Sequence, residues 1–148
     1  MQLSKITEHA PEPTLEEFGN DPGFFPNEKK TILLIDDEPL VTDICEMMLK
    51  SLGHAVLKAH SGLEGLEVFV TNKDNIDLII SDFNMPGMNG QEVVNTLRIM
   101  GHPVKVLLSS GGLSTAEEEQ VLTNGFSGYL KKPYSMATLS DKIAEILR

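Results

Sequence analysis

The sequence has little of three things that often define a class of protein: cysteine, basic charge and long apolar runs. Cys45 is the only cysteine among 148 residues, which excludes an internal disulfide and a cysteine-rich zinc site. No apolar run approaches the roughly 20 residues of a membrane-spanning helix, so we predict no membrane span. The first residues lack the basic start and apolar core of a secretory signal, so we expect a cytoplasmic location.

The scarcity of basic residues argues against direct binding to nucleic acid. Lys and Arg number 12 against 22 Asp and Glu, which gives a formal net charge of −10. Phosphate recognition needs clustered cations, and the pairs Lys29-Lys30 and Lys131-Lys132 are too short to form a basic patch. The composition, 41% hydrophobic and 23% charged, is typical of one globular domain.

The first 30 residues differ from the rest of the chain. They hold half of the eight prolines, namely Pro11, Pro13, Pro22 and Pro26. We predict that residues 1–30 form an irregular N-terminal extension or linker and that residues 31–148 form the folded domain. The extension also carries Leu15, Phe18, Phe24 and Phe25, so docking on the domain or on a partner stands beside a disordered leader as an interpretation.

From Thr31 onward, short apolar runs alternate with helical patterns. A helix follows each of the five buried strands that we predict, at 32–35, 55–57, 77–82, 104–108 and 128–130. Pro39 suits the first turn of the first helix, and the later helices have candidate caps at Ser61, Asn89, Ser114 and Ser135. Strict alternation implies an α/β fold with a parallel sheet, right-handed crossovers and helices on both faces.

The helical patterns also predict which residues face the core. The fourth helix is expected to end near Gly125. The predicted buried faces include Ile44 in the first helix, Leu63 and Val70 in the second, and Met136 in the fifth. Cys45 lies on an apolar helical face, where we expect a small core residue.

Polar side chains follow four of the predicted strands. Asp36 and Asp37 come after the first strand, Asp82 after the third, Ser110 after the fourth and Lys132 after the fifth. The carboxyl ends of parallel strands share one edge of the sheet, where ligands bind in open α/β folds. Two carboxylates about 4 Å apart repel by roughly 4 kcal/mol at an effective dielectric near 20, so the cluster needs a cation. Hard oxygen ligands without Cys or His favour Mg²⁺.

This group of residues also suits phosphoryl transfer. A carboxylate such as Asp82 can act as nucleophile and form an aspartyl phosphate, while Mg²⁺, the Lys132 ammonium and the Ser110 hydroxyl neutralise and bind the phosphoryl oxygens. Taken singly, each residue has a plainer interpretation. The Asp36-Asp37 pair could cap a helix, Ser110 could belong to a turn, and Lys132 could be a solvated loop charge.

Four segments together resemble the receiver domain of two-component response regulators: Asp36-Asp37, Ser81–Gly90, Ser110-Gly111 and Lys132-Pro133. The resemblance covers residues 31–148. It implies a flavodoxin-like, doubly wound, five-stranded parallel sheet in strand order 2-1-3-4-5 with five helices. It also implies that the domain is a phosphoacceptor and not an enzyme in its own right.

The resemblance assigns the phosphoryl site residue by residue. Asp82 is the expected phosphoacceptor and Lys132 the phosphate-binding lysine. Asp37 is expected to ligate Mg²⁺ directly, Asp36 partly through water and Asn84 through its backbone carbonyl, and Asp82 is a further expected metal ligand.

The resemblance also implies a switch. Ser110 is the expected switch hydroxyl, with Ser109 as a competing candidate, and Tyr129 is the aromatic side chain that changes rotamer on activation. Tyr134 departs from the phenylalanine common after Lys-Pro, and we expect this to matter little.

Several functions stay open at this point. A stand-alone receiver would accept a phosphoryl group from a histidine kinase or histidine phosphotransfer protein and switch its binding to an unknown downstream protein. We expect no output domain after Arg148. The same domain could be the C-terminal receiver of a hybrid sensor histidine kinase, with residues 1–30 as linker, or a receiver-like binding module that is not phosphorylated. A phosphatase is disfavoured, because Asp36 and Asp37 are adjacent and not two residues apart. Dimerisation through the fourth and fifth helices is left open.

Overall fold

The computed structural model describes residues 28–148 of the chain. Residues 1–27, with all four prolines of the predicted extension and its candidate docking residues Leu15, Phe18, Phe24 and Phe25, lie outside the described residues. The predicted boundary at residue 31 therefore stays a prediction. Within residues 28–148, the first element of regular structure is the strand that begins at Thr31.

Five parallel strands form one sheet, and the predicted alternation of strand and helix is confirmed. The strands are β1 (Thr31–Ile35), β2 (Ala55–Ala59), β3 (Leu78–Asp82), β4 (Lys105–Ser110) and β5 (Gly128–Lys131). The helices are α1 (Pro39–Ser51), α2 (Gly62–Asn72), α3 (Gly90–Ile99), α4 (Thr115–Gln120) and α5 (Met136–Leu147). The strand order is β2-β1-β3-β4-β5, which confirms the flavodoxin-like topology.

The apolar strands divide the core into two layers, because successive side chains of a strand point to opposite faces of the sheet. On one face, Leu33 and Ile35 of β1 pack with buried residues of α2 and α3, such as Phe69 and Leu97. On the other face, the alternate strand residues pack with α1 and α5 through buried side chains that include Ile32, Leu34, Cys45, Leu49, Leu139 and Ile143. Both faces of the sheet are thus covered, as expected of an all-parallel sheet.

The predicted helix caps are present. The side chains of Ser61, Asn89, Ser114 and Ser135 each accept a hydrogen bond from the backbone amide three residues later. Asn89 and Ser114 form complete capping boxes, in which the side chains of Glu92 and Glu117 accept a hydrogen bond from the backbone amide of the cap residue. These caps fix where α3 and α4 begin, next to the carboxyl edge of the sheet.

The fourth helix is shorter than predicted. It ends at Gln120, and residues 121–125 form turns in place of the expected continuation toward Gly125. The helical segment carries three consecutive glutamates and has no buried side chain, so nothing apolar ties it to the sheet. The apolar anchors of this region, Val121 and Phe126, lie beyond the helix.

Four side chains that we predicted to be buried are exposed: Ile44 by 47%, Leu63 by 60%, Val70 by 45% and Met136 by 45%. Helices α1, α2 and α5 each bury a narrower stripe than their apolar patterns suggest. The buried positions are Thr42, Cys45 and Leu49 in α1, Gly62, Gly65, Leu66 and Phe69 in α2, and Leu139 and Ile143 in α5. The exposed residues fall outside these stripes, or in Met136's case in the first turn before the stripe begins.

Three strands, β2, β4 and β5, are longer than predicted at their carboxyl ends. β4 continues through Ser109 and Ser110, which pair with Asp82 and Lys131 of the neighbouring strands. Polar residues can extend a strand when the backbone ladder continues on both sides, although apolar periodicity does not reveal this.

Among the helices of residues 28–148, none has both the length and the apolar character that a bilayer crossing needs.

His54 lies at the amino-terminal end of the strands, directly before β2, and predicts that the stability of the protein depends on pH. The backbone amide of Lys30 donates to Nδ1 of His54 at 3.1 Å, so the ring must be unprotonated at that nitrogen. Burial lowers the pKa of His54, with the Lys30 charge acting in the same direction and Asp77 opposing it. The unfolded chain therefore binds this proton more readily than the folded one. The resulting stability is fully present above the ordinary pKa of about 6.5 and is lost as the pH falls below it.

For the wild-type protein, we expect the urea concentration at the midpoint of unfolding to be lower at pH 5.5 than at pH 7.5. A His54→Gln variant, which keeps a hydrogen-bond acceptor but does not titrate, should show a smaller fall. An identical pH dependence in both proteins would contradict this assignment.

Candidate functional site

Three carboxylates meet at the carboxyl edge of the sheet. Asp36 and Asp37 directly follow β1, and Asp82 is the last residue of β3, the strand that pairs with β1. One oxygen from each of the three side chains lies within 4.8 Å of the others. The sheet order therefore brings together the acidic residues that the sequence predicted to be neighbours.

Burial makes this arrangement electrostatically demanding. Asp36 is 5% exposed and Asp82 is 9% exposed. Burial raises the pKa of Asp82, the Lys132 ammonium lowers it, and the Asp36 carboxylate raises it again. Buried carboxylates this close favour a positive partner, because each negative charge raises the cost of ionising the next.

Lys132 supplies one such partner. Its Nζ lies 2.8 Å from Oδ2 of Asp36 and 3.4 Å from Oδ1 of Asp82. Burial alone would lower the pKa of Lys132, but the hydrogen bond to Asp36 and the charges of both carboxylates outweigh it, and the pKa is raised. Lys132 directly follows β5, and its backbone amide donates to the carbonyl of Ser110 at 3.1 Å, which fixes its position. The Lys132–Pro133 peptide bond is cis.

Asp36 combines two tasks that the sequence presented as alternatives. Its Oδ1 accepts a hydrogen bond from the backbone amide of Glu38 at 3.0 Å, at the start of α1, while Oδ2 accepts from Lys132. Glu38 itself provides no side-chain cap for the helix. The carboxylate thus supports the first turn of α1 and belongs to the acidic cluster as well.

The cluster fits a divalent cation by its donor set. Three carboxylate oxygens within 4.8 Å are hard ligands of the kind that Mg²⁺ prefers, and Asp37 is only half-buried, which leaves room for coordinated water. Asn84 lies exposed in the loop after β3. The role of its backbone carbonyl as a ligand stays a prediction.

The loop that follows Asp82 is held closely against the strand end. The backbone amide of Phe83 donates to Oδ1 of Asp82 at 2.9 Å, and the amide of Gly90 donates to the carbonyl of Phe83 at 2.9 Å. A side chain at Gly90 would collide with the backbone carbonyl of Asp82. Gly87 turns the loop with a φ of 77°, in the region that favours glycine. The carboxylate of Asp82 is therefore oriented by its own loop.

The two residues predicted to form the switch are in contact. The Tyr129 hydroxyl donates to the backbone carbonyl of Ser110 at 2.9 Å, and the Ser110 hydroxyl accepts from the amide of Gly112 at 3.3 Å. Ser110 is the last residue of β4 and is 2% exposed. Ser109, the competing candidate, instead lines a small cavity with Asp36 and Asp82.

Sequence reasoning missed one polar contact beside this site. The hydroxyl of Tyr134, in the loop between β5 and α5, donates to Sγ of Cys45 on α1 at 3.1 Å. The sequence contained an indication of this contact, because Tyr134 stands where the resemblance led us to expect phenylalanine. Cys45 itself is buried, as expected of a core residue.

Comparison with known proteins agrees with the geometry. The strand order and the acidic edge define a flavodoxin-like α/β domain. Residues 32–144 match the model of the family described as the response regulator receiver domain. The chain therefore belongs to that family, whose members act in two-component signalling as phosphoacceptors and not as enzymes in the usual sense.

Curated relatives differ widely in length. A chemotaxis protein CheY homologue of Campylobacter jejuni is 32% identical over 121 residues, covering 78% of this chain and 91% of that protein. The sensor histidine kinase RcsC of Salmonella typhimurium is 30% identical over 118 residues, covering 80% of this chain. The chain spans only 12% of that kinase's length.

Solved structures show the same fold. A response regulator receiver domain protein from Clostridium thermocellum superposes with a TM-score of 0.74 at 29% identity, covering 80% of this chain and 94% of that one. Chemotaxis protein CheY4 of Vibrio cholerae gives a TM-score of 0.73 at 28% identity, covering 81% of this chain and 100% of that one.

The carboxylate cluster predicts that removing one charge stabilises the metal-free protein. An Asp37→Asn substitution keeps the shape of the side chain and breaks neither ion pair of Lys132. In the absence of divalent cations we expect the free energy of unfolding to rise by about 1 kcal/mol, since one repulsive charge is removed. Added Mg²⁺ should stabilise the wild type more than the variant.

Urea denaturation with and without Mg²⁺ measures both effects. Asp141→Asn, at an exposed position of α5, provides the matched control for a change of net charge. If Asp37→Asn were no more stable than the Asp141→Asn control without metal, the proposed repulsion would be wrong.

Proposed function

We propose that this chain is the phosphoacceptor of a two-component phosphorelay and that Asp82 receives the phosphoryl group from a phosphohistidine of a histidine kinase or histidine phosphotransfer protein. One observation carries the proposal: Asp82, two further carboxylates and the Lys132 ammonium converge at one edge of the sheet. A cytoplasmic location follows as part of the same proposal.

In the proposed transfer, a carboxylate oxygen of Asp82 attacks the phosphorus atom. The bond from phosphorus to the donor's imidazole nitrogen breaks, and that nitrogen keeps the electron pair. The Phe83 amide holds Oδ1 of Asp82 and so orients the carboxylate for attack. Lys132, already 3.4 Å from Asp82, binds a phosphoryl oxygen as negative charge moves onto the acceptor.

Asp36, Asp37, Asp82 and the carbonyl of Asn84 are the proposed ligands of Mg²⁺. When bound, the ion supplies a counter-charge to the phosphoryl oxygens. The protein's own part is to present the three carboxylates at two adjacent strand ends beside the Lys132 ammonium. Because Asp36 is already bonded to Glu38 and Lys132, we assign it a ligand role partly through water.

The proposed switch links the site to the surface of α4, β5 and α5. Ser110 donates its hydroxyl hydrogen to a phosphoryl oxygen and moves inward. In the structure described above, the Tyr129 hydroxyl donates to the Ser110 backbone carbonyl. In the proposed switch, Tyr129 then changes rotamer and moves into the space that Ser110 leaves. Moving such an equilibrium from 1:99 to 99:1 needs about 5.5 kcal/mol of differential interaction, which a doubly charged phosphoryl group with several charged partners can supply.

Helix α1 offers a docking surface for the phosphoryl donor. Leu40 is 70% exposed, Ile44 is 47% exposed and Met47 is 70% exposed. Their spacings of four and three residues put them on one face of the helix. This face begins four residues after Asp36, so a helix packed against it stands next to the acidic site. We assign the face to the helical surface of the donor that carries the phosphohistidine.

The receiver of a larger sensor histidine kinase is the second candidate. The similarity to RcsC, at 30% identity over 80% of this chain, favours it. The site chemistry is the same in both proposals, and they differ in whether the phosphoryl donor is joined to the receiver.

Intact-mass spectrometry after incubation with acetyl phosphate and Mg²⁺ tests the phosphoacceptor proposal. We expect the wild-type protein to gain the mass of one phosphoryl group and the Asp82→Asn variant to gain none, because the amide is not a nucleophile. Omission of Mg²⁺ should suppress the gain. An unmodified wild type that is folded by circular dichroism would favour the receiver-like binding module instead.

The docking surface predicts a selective defect. An Ile44→Lys substitution should slow phosphotransfer from a phosphohistidine donor about tenfold, since a buried charge at an apolar contact costs more than 1 kcal/mol. Phosphorylation by acetyl phosphate should stay at the wild-type rate, because a small donor needs no docking surface. Val70→Lys on α2 is the matched control, with an equally exposed apolar residue on another helix. Equal defects in both variants would contradict the assignment to α1.

A further inference from the structure

An open apolar groove lies between α3 and α4. Its floor consists of Phe83, Leu108, Leu113, Val121 and Phe126. Leu108, Val121 and Phe126 belong to the buried core, whereas Phe83 and Leu113 are only partly buried. The groove has a volume of about 230 Å³. Pockets for drug-sized ligands measure roughly 300–1,000 Å³, so this space is better suited to side chains that a docked chain segment inserts.

The polar side chains that line this α3–α4 groove are exposed or partly buried and so form its rim. They are Gln91 of α3, Glu117 and Gln120 of α4, and Asn124 of the turns after α4. Nε2 of Gln91 donates to the backbone carbonyl of Asn124 at 2.9 Å, which ties α3 to those turns. Ala116 also lines the groove and is exposed, so the groove is open to solvent along α4. An apolar floor inside a polar rim is the usual anatomy of a protein-binding surface.

The sheet limits the kind of segment that can dock here. β4 contributes Leu108 to the floor, and its backbone is paired with β3 on one side and with β5 on the other. A partner therefore cannot add a strand at this place and must bind through its side chains. An amphipathic helix laid into an apolar groove binds in this way.

The charge of the groove selects among possible occupants. Among the residues that line it, Glu117 alone is charged, and α4 carries three consecutive glutamates and no basic residue. A segment with Lys or Arg beside its apolar side chains complements this surface, and an acidic segment is repelled. Residues 1–27 of this chain have five acidic residues and one lysine, and a second copy of the chain has a net charge of −10. Charge therefore disfavours both as occupants.

We propose that the α3–α4 groove binds a basic amphipathic helix of a partner protein. An apolar side chain of the helix lies on the floor, and its Lys or Arg side chains lie beside Glu117. No residue of α1, β5 or α5 lines the groove, so this surface differs from the proposed docking face on α1 and extends beyond the proposed switch surface. Binding to the groove does not depend on the proposed role of Asp82.

A designed amphipathic helix with leucine on its apolar face and lysine on its polar face is the probe. Its affinity for the full-length protein is measured by fluorescence anisotropy at physiological ionic strength, without Mg²⁺ or phosphoryl donor. We expect saturable binding. In ¹⁵N spectra, the probe should shift the amide signals of groove residues such as Phe83, Leu113 and Phe126 and leave those of α1 in place. The same helix with glutamate in place of lysine should not bind.

A substitution that fills the groove tests the apolar contact without disturbing the core. Ala116 is exposed, and Ala116→Phe places a ring in the groove, so the apolar anchor of the probe loses its position. We expect the dissociation constant to rise at least about tenfold. Ala137→Phe, at an exposed position of α5, is the matched control and should bind the probe as the wild type does.

A second substitution tests the charge. Glu117→Gln removes the charge of the rim, while the glutamine side chain still accepts from the Ser114 amide and keeps the capping box. We expect binding of the probe to weaken about threefold, the effect of one exposed ion pair. Glu119→Gln is the matched control, because this glutamate lies on α4 but does not line the groove, and it should weaken binding less.

The proposal is overturned if the wild type does not bind the lysine helix, if the glutamate helix binds equally well, or if Ala116→Phe binds like Ala137→Phe. Sedimentation that shows a dimer of the wild type, lost in Ala116→Phe, would assign the groove to a second copy instead. Much tighter binding of the probe by a full-length Phe24→Ser, Phe25→Ser variant would assign it to the chain's own first residues. These measurements involve no phosphoryl transfer, so their outcome is separate from the mass-spectrometric test of Asp82.

Discussion

Mutual repulsion between carboxylates at one edge of the sheet is the constraint on which the rest of the site depends. Asp36 and Asp82 are buried and Asp37 stands beside them, so the fold holds negative charges close together in surroundings that hydrate them poorly. The Lys132 ammonium offsets part of this cost. Under the proposed function, the remaining repulsion would favour the binding of cationic and electrophilic groups. The free energy gained by forming the strands and their ladder therefore compensates for the unfavourable arrangement of charge at their carboxyl ends.

Chain topology explains how residues 96 positions apart, Asp36 and Lys132, come to form a salt bridge. Parallel strands carry their carboxyl ends to a common edge, and the order β2-β1-β3-β4-β5 puts β1 beside β3 at the centre. The two core layers hold the strand ends in register. Each layer draws on alternate residues of the same strands, so a one-residue slip would exchange the layers and remove the site.

Much of this arrangement was predictable from the sequence. The positions of Asp36 and Asp82 at the ends of their strands follow from apolar runs that stop at polar residues. The helix caps at Asn89 and Ser114 follow from side chains that compete for local amides. What the sequence did not predict depends on distances between elements. The exposure of Ile44 and the contact of Tyr134 with Cys45 are set by the rotation of α1 against the sheet and against α5, and helical periodicity does not encode that rotation. The strand continuation through Ser109 and Ser110 depends on two neighbouring ladders, which are long-range features.

The shortness of α4 has a consequence for the energy of signalling. A six-residue helix without a buried side chain gives up few apolar contacts when it shifts, and its neighbours Val121 and Phe126 keep the chain attached to the core. Little free energy is therefore required to reposition it, so the proposed switch would separate two arrangements of this segment by a small free energy. Under the proposed function, the choice between them would be governed by the chemical state of the carboxyl edge and by whichever protein binds the segment, and the helix itself would contribute almost no resistance. Under the same proposal, a helix held this weakly would respond to small changes of charge at the carboxyl edge.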